Sequence, residues 1–154
     1  MRATACGLCL TLLTQVAGAT TPSIGACSLN YNPSGELVTG IDLEAAAGDA
    51  LPLRFTWTLL NDAKGATQTS YTLRIVNPPQ ASDDEAEDDT ASEVVYSSGA
   101  VASSDPFAAV VVSELSPKLQ PATTYEWYVT AVMAPQNVTT TACTGVFETA
   151  PARS

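Results

Sequence analysis

Carboxylates are the most frequent chemically active side chains in this sequence, and they are concentrated in one segment. Six of the 16 acidic residues fall between Asp83 and Asp89. Carboxylate oxygens are ligands that Ca²⁺ prefers, but the spacing lacks the ordered acids, the glycine and the final glutamate of a helix–loop–helix calcium loop. Because a block of like charge repels itself and stays solvated, we interpret residues 80–92 as an exposed acidic loop, with calcium binding as the alternative.

The remaining polar residues do not form a recognisable catalytic set. The sequence has no histidine, which excludes Ser-His-Asp and Cys-His nucleophiles and metal sites built on histidine. It also lacks a glycine-rich phosphate loop. Glu126 and Glu148 are the candidate acids, and both lie on predicted strands at positions that alternate towards solvent. We therefore predict no catalytic residue, no metal ligand and no cofactor in this chain.

Aromatic residues offer the other kind of site, a platform on which a ligand stacks. The stretch LQPATTYEWYVTAV (119–132) holds three aromatics within four positions. Read as a strand with a period of two, it places Tyr125 and Trp127 on an apolar face and Tyr128 on the opposite, mixed face. We predict that Tyr125 and Trp127 belong to the core, and that Tyr128 is a candidate sugar contact.

Alternation on two earlier segments assigns further aromatics. In LPLRFTWTLL (51–60) the apolar residues alternate with Arg and Thr, so that Trp57 faces inward. In TQTSYTLRIV (67–76) we expect Tyr71 and alternate residues from Thr69 to Ile75, or their neighbours, to face the core. Tyr96 and Tyr31 then remain with Tyr128 as the aromatics available for stacking on a sugar.

The elements that carry these residues are short strands separated by turn signals. EVVYSSGAV (93–101) reads as a strand followed by a Ser-Ser-Gly turn, PFAAVVVSEL (106–115) as a buried strand, and ACTGVFETA (142–150) as the last strand. No segment has a convincing helical period. Six or seven short strands at this spacing predict an all-β fold, an antiparallel two-sheet sandwich of about seven strands.

The overall charge limits the partners. The 154 residues carry a formal net charge of −10, which argues against nucleic acid because no basic stripe is present to neutralise phosphates. It also argues against docking on anionic lipid, and no apolar stretch is long enough to span a membrane. We expect neither a nucleic-acid nor a membrane partner.

The N-terminus and the cysteines indicate export. Residues 1–19 have a basic start, a short apolar run and an Ala-Gly-Ala site, which predict a secretory signal peptide, with a buried helix as the alternative. Cys27 and Cys143 then remain in the mature chain, and an exported pair predicts a disulfide, with free thiols in a reducing compartment as the alternative. Asn137 begins an N-glycosylation sequon, Asn-Val-Thr. We predict a secreted protein.

Several blocks, read together and in order, resemble a known family. The pattern from Leu119 to Ala131 resembles the sixth strand of fibronectin type III domains, in which a tyrosine packs at a corner and its hydroxyl bonds to the upstream backbone. The six blocks as a set are similar to the N-terminal fibronectin-type region of family 78 α-L-rhamnosidases. They are GIDLE (40–44), LRFTWTL (53–59), KGATQTSYTLRI (64–75), VYSSGAVASS (95–104), LQPATTYEWYV (119–129) and FETA (147–150).

The chain departs from the family pattern at several points. Tyr96-Ser97 replaces the usual Trp-Asp, Ala150 replaces the closing glycine, the acidic loop looks inserted, and Cys143 lies near the place of a usual Trp-Ser. We divide the chain into a signal peptide, an irregular lead-in with one short strand around 35–42, a fibronectin type III-like domain and a tail. The last three of these are residues 20–38, 39–150 and 151–154.

The resemblance implies a function without chemistry of its own. Family 78 enzymes cleave terminal α-L-rhamnose with paired carboxylates in a large helical barrel, and glycoside hydrolysis needs two such groups at a defined separation. The sequence ends at Ser154, directly after the last block, so no segment corresponds to that barrel. We expect a non-catalytic accessory module, either a fragment or a stand-alone relative, whose partner is a catalytic glycosidase domain or another protein domain. The alternative is an independent carbohydrate-binding or adhesion domain.

Overall fold

The computed structural model describes residues 22–44, 52–60, 65–78 and 92–154. The predicted signal peptide and almost all of the predicted acidic loop lie outside these ranges. Eleven strands and one helical turn are found there, more than the roughly seven strands expected, and three of the eleven are two-residue pieces. In chain order they are β1 Ser23–Leu29, β2 Asn32–Pro33, β3 Val38–Ile41, β4 Leu53–Leu60, β5 Thr67–Asn77, β6 Glu93–Ser97, β7 Val101–Ala102, β8 Phe107–Val110, α1 Val112–Leu115, β9 Thr124–Ala134, β10 Val138–Thr139 and β11 Cys143–Thr149.

The strands form two sheets, which confirms the predicted sandwich. The small sheet has the order β2-β1-β4-β8, and the large sheet has the order β3-β11-β9-β5-β6, with β10 beside β9 and β7 beside β5. One pairing differs from the expected antiparallel pattern, since β3 runs parallel to β11. The inner faces of the two sheets share a large apolar cluster that includes Phe55, Leu73, Trp127 and Phe147.

Alternating side chains explain which face of each strand is buried. On β9, Tyr125, Trp127, Val129 and Ala131 are buried, while the residues between them are partly exposed. Successive residues of a strand point to opposite sides of the sheet, so a strict alternation of apolar and polar residues buries one whole face. The ring of Trp127 packs edge to face against the ring of Phe55, which belongs to the opposite sheet, and the two ring centroids are 5.3 Å apart.

The segment predicted to be an irregular lead-in contains β1, a central strand of the small sheet. Its sequence SIGACSL is rich in small residues and lacks clear alternation, which is why it reads as a loop. Gly25 is closely packed, because a Cβ at this position would lie 2.8 Å from Thr58 Oγ1. The register of β1 against β4 also shifts between Ile24 and Cys27, so this strand does not keep a period of two.

Two other strand predictions need correction. The strand expected over residues 106–115 ends at Val110, and Val112–Leu115 forms the helical turn α1, which buries Val112 and Leu115. A run of β-branched residues favours a strand locally, but here burial in the core favours the turn. On β5, a shift in the pairing with β9 between Gln68 and Ser70 leaves Thr69 exposed and buries Gln68.

Candidate functional site

A groove of about 350 Å³ lies on the outer face of the large sheet. Its walls come from β5, β6 and β9 and from the segment before β11. They combine hydroxyl groups, a guanidinium, an aromatic ring and small apolar side chains, namely Thr72, Arg74, Val76, Ser92, Val94, Tyr128, Thr130 and Ala142. Tyr128, the predicted sugar contact, therefore borders a groove beside an arginine.

Strand register explains why these residues meet. Arg74 on β5 is paired directly with Tyr128 on β9, and Thr72 is paired directly with Thr130. Directly opposed residues on the same face of an antiparallel pair have their Cβ atoms about 5 Å apart. The groove is thus built on two long central strands, and regular strands hold side chains in a more defined position than loops do.

A hydrogen bond fixes the ring of Tyr128. Its hydroxyl donates to Glu126 Oε2, two residues earlier on the same face of β9. This bond and partial burial, together with the negative charge of Glu126, raise the pKa of Tyr128 above its usual value of 10.0. The phenol therefore stays protonated at neutral pH, and Glu126 accepts a hydrogen bond that orients the ring.

The two candidate acids lie on the outer face of the large sheet, on the neighbouring strands β9 and β11, and neither lines the groove. Glu126 is occupied by its bond to Tyr128, and Glu148 is a partly exposed residue of β11 that is aligned with Thr124 of β9. No group of three or more acidic or cysteine side chains is placed to hold a metal ion in the described parts of the chain. The helical structure in these parts consists of the single turn α1. No helix there is long and apolar enough to cross a membrane.

The two other tyrosines proposed for stacking have different surroundings. Tyr96 is paired with Ile75, packs against the core and lies under the Lys118 ammonium, 5.4 Å from its ring centroid. It is therefore not an exposed platform. Tyr31 is 79% exposed and occupies the tip of the β1–β2 hairpin.

The β1–β2 hairpin presents a second surface. Asn30 and Tyr31 both have positive φ, 49° and 69°, as the two central residues of a tight type I′ hairpin turn require. The Arg54 guanidinium donates to the Tyr31 hydroxyl at 3.5 Å, and a concave region of about 430 Å³ is lined by Asn30, Tyr31, Pro52 and Arg54. The edge strand β8, which lies on the other side of β4 from this hairpin, adds exposed Phe107.

The predicted cysteine pair is joined. Cys27 on β1 and Cys143 on β11 form a disulfide across 116 residues, which confirms that prediction. Cys27 is paired with Trp57 in the small sheet and Cys143 with Val129 in the large sheet. The covalent link therefore connects the two sheets beside the core.

Three aromatic residues that were assigned to the core are at most 3% exposed, namely Trp57, Tyr125 and Trp127. Tyr71 is partly buried and packs edge to face on Trp57, with centroids 5.2 Å apart. The Tyr125 hydroxyl accepts a 2.8 Å hydrogen bond from the Gln120 amide, as the resemblance to a tyrosine corner implies.

Asn137 is exposed, in the turn between β9 and β10, and its φ is 55°.

Sequence reasoning missed the polar residues that complete this framework. Buried Gln68 accepts from the Trp57 indole and donates to the Ser103 and Asp105 carbonyl groups. Buried Thr149 donates to the Gln120 carbonyl and accepts from the Thr123 amide. Arg74 was also missed, because its place beside Tyr128 depends on the pairing of β5 with β9.

Two solved structures share the fold over 84% of this chain. One is an α-L-rhamnosidase from Streptomyces avermitilis complexed with L-rhamnose, with a TM-score of 0.54 and 22% identity. The other is an α-L-rhamnosidase from Dictyoglumus thermophilum, with a TM-score of 0.57 and 18% identity. This chain spans 10% and 12% of their respective lengths.

No curated protein sequence matches the chain significantly. The family model described as the Rha78A-like, N-terminal immunoglobulin domain matches residues 44–153, which is well over half of the sequence. That match includes β4 to β11 and both long strands of the groove. The chain belongs to the family of Rha78A-like N-terminal immunoglobulin domains.

Proposed function

We propose that this chain is a secreted, non-catalytic accessory domain that packs against the catalytic domain of an α-L-rhamnosidase. The observation that carries the proposal is the family match over residues 44–153. The solved rhamnosidases also support the proposal, because this chain corresponds to 10% and 12% of their respective lengths. A domain of that size supplies a minor part of such a protein and leaves ample chain for a separate catalytic domain.

The disulfide supports the export of the protein. Disulfides persist in oxidising compartments and are rare in the cytosol. The Cys27–Cys143 bond connects the two sheets, so it is part of the framework and not an accessory on a loop. Together with the predicted signal peptide in residues 1–19, it favours a secreted location.

The docking surface that we propose is the hairpin face, defined as Tyr31, Pro52, Arg54, Phe107 and Val111. Tyr31, Phe107 and Val111 are exposed by 79%, 40% and 44%, and Arg54 is also exposed. Tyrosine and arginine are enriched among the residues that dominate binding energy at protein interfaces, and exposed apolar groups gain most from being covered. In a protein with a net charge of −10, Arg54 also gives this face a local positive charge, which suits an acidic region of the catalytic domain.

Direct binding tests the docking. The mature chain, residues 20–154, is titrated by calorimetry into a family 78 catalytic domain from the same organism that lacks its own N-terminal immunoglobulin domain. We expect saturable binding that weakens at least tenfold in the Tyr31→Ser/Arg54→Ser variant. Val94→Ser, which changes an exposed valine on the other sheet, is the matched control and keeps the affinity. Equal binding by both variants would contradict the hairpin face as the docking surface.

An activity measurement tests the non-catalytic role separately. The purified mature chain is incubated with an aryl α-L-rhamnoside, and release of the aryl alcohol is followed. We expect no turnover above the buffer rate. Turnover that persists through repeated purification and disappears in Glu126→Gln or Glu148→Gln would overturn the proposal.

A further inference from the structure

We propose that the groove on the outer face of the large sheet binds one neutral pyranose, with a preference for a 6-deoxyhexose, and that Tyr128 is its stacking platform. The proposal rests on the proposed function only for the choice of L-rhamnose as the probe. The site itself is inferred from the residues of the groove. It lies on the sheet opposite to the one that carries the hairpin face.

The aromatic ring supplies the first requirement. One face of a pyranose presents C–H groups, which pack against an aromatic ring, and tyrosine combines an apolar ring face with a polar tip. Tyr128 borders the groove, and its hydroxyl is held by Glu126. A ring held in one orientation loses less conformational entropy when a ligand binds.

The polar groups of the groove match sugar hydroxyls. Arg74 offers a planar fork of N–H donors directly across from Tyr128. Thr72, Thr130 and Ser92 add hydroxyls that can both donate and accept. A sugar hydroxyl likewise donates and accepts, so this mixture satisfies several adjacent hydroxyl groups at once.

Charge favours a neutral ligand over an anionic one. Glu126 lies on the same face of β9 as Tyr128, and the chain has a net charge of −10. A uronic acid or a phosphate would gain from Arg74 but would be repelled by Glu126 and by the overall field. A neutral ligand avoids this repulsion and still accepts hydrogen bonds from the guanidinium.

The apolar end of the groove suits a deoxy position. Val76 and Val94 are paired across β5 and β6 and both line the groove, while Glu126, which is paired with Val76 from β9, is engaged by the Tyr128 hydroxyl. A methyl group placed against these valines is removed from water at no polar cost, whereas a hydroxymethyl group there would lose hydrogen bonds to water. We therefore expect a sugar with a methyl group at carbon 6 to bind better than its hydroxylated counterpart.

Titration of the intact mature chain by NMR, with L-rhamnose and L-mannose as the probes, tests the proposal. These two sugars differ at carbon 6 alone. We expect saturable shifts for L-rhamnose with a Kd of about 1 mM, and at least threefold weaker binding of L-mannose. Equal affinity would overturn the deoxy preference, and tighter binding of glucuronate would overturn the preference for a neutral ligand.

Variants then locate the site. Tyr128→Ala and Arg74→Ala should each weaken L-rhamnose binding at least fivefold, while Tyr128→Phe should retain most of it because the ring remains. Tyr31→Ala, which removes an exposed aromatic from the other sheet, should leave binding unchanged. No saturable shift with either sugar, or undiminished binding in Tyr128→Ala, would refute the site while leaving the docking and turnover results of the proposed function untouched.

Discussion

The indole N–H of Trp57 donates a 2.9 Å hydrogen bond to Gln68 Oε1 across the buried interior. Gln68 in turn donates to the carbonyl groups of Ser103 and Asp105, at 3.0 and 2.8 Å. One side chain, 3% exposed, thus satisfies a tryptophan and a loop together. Buried polar groups are stabilising when every member has a partner and costly when one is lost.

Replacing this glutamine with an apolar residue of similar size should destabilise the fold. Gln68→Met leaves the Trp57 N–H and two carbonyl groups without their partner, and we expect a loss of about 2–4 kcal/mol in the free energy of unfolding. Urea denaturation measures it. Gln120→Met, at an exposed glutamine, is the control and should change stability by less than about 0.5 kcal/mol. Equal effects of the two substitutions would show that the buried network contributes little.

The contact between Gly145 and Trp127 should not tolerate a methyl group. A Cβ at Gly145 would lie 2.6 Å from three atoms of the Trp127 indole, and that ring is 1% exposed and cannot move aside. We expect Gly145→Ala to destabilise by about 1–3 kcal/mol through overpacking. Gly35→Ala is the matched control, since nothing lies within 4 Å of its Cβ position. A melting temperature that is unchanged in Gly145→Ala would contradict this packing.

The tyrosine corner should be measurable through one hydroxyl. Tyr125→Phe removes the acceptor of the Gln120 amide and keeps the ring that packs on Phe147. We expect a loss of about 1–1.5 kcal/mol, the usual worth of one hydrogen bond with its desolvated partner. Tyr31→Phe, at an exposed tyrosine, should stay within about 0.5 kcal/mol of the parent. If both variants matched the parent, the corner bond would have no net value.

The disulfide should stabilise the folded chain strongly. The Cys27→Ala/Cys143→Ala variant opens a loop of 116 residues, and we expect it to lose about 2–5 kcal/mol. Reductant should lower the stability of the parent protein by a similar amount and leave the variant unchanged, which provides the control. Mass spectrometry of a non-reduced digest should show the two cysteines in one linked pair. Two alkylatable thiols in the native protein would refute the bond.

The Tyr128–Glu126 hydrogen bond should be visible in a pH titration. Because the bond raises the pKa of Tyr128 in the folded state, its contribution to stability is fully present below the unfolded pKa of about 10. It is lost as the pH rises through the higher folded value. We expect tyrosinate absorbance to show that Glu126→Gln lowers the pKa of Tyr128 towards its usual value, with Glu148→Gln as the control. An unchanged titration in Glu126→Gln would contradict the assignment.

The sequence by itself determined the faces of the regular strands. On β4 and β9 the alternation of apolar and polar residues identified Trp57, Tyr125 and Trp127 as buried and left Tyr128 on the other face. The physical reason is local, because a period of two follows from strand geometry alone. The ordered blocks were also sufficient to indicate the family that the match over residues 44–153 establishes.

Only the tertiary structure decided where that regularity fails and which residues meet. The shift in pairing between Gln68 and Ser70 buries the Gln68 side chain. The stability that this side chain provides depends on its hydrogen bonds to Trp57 and to carbonyl groups of a loop distant in sequence. In the same way, β1 forms from a segment without regular alternation because it pairs with β4, and Arg74 joins Tyr128 because β5 pairs with β9 in one register. Such contacts depend on the pairing of strands far apart in the chain, which no local pattern of residues specifies.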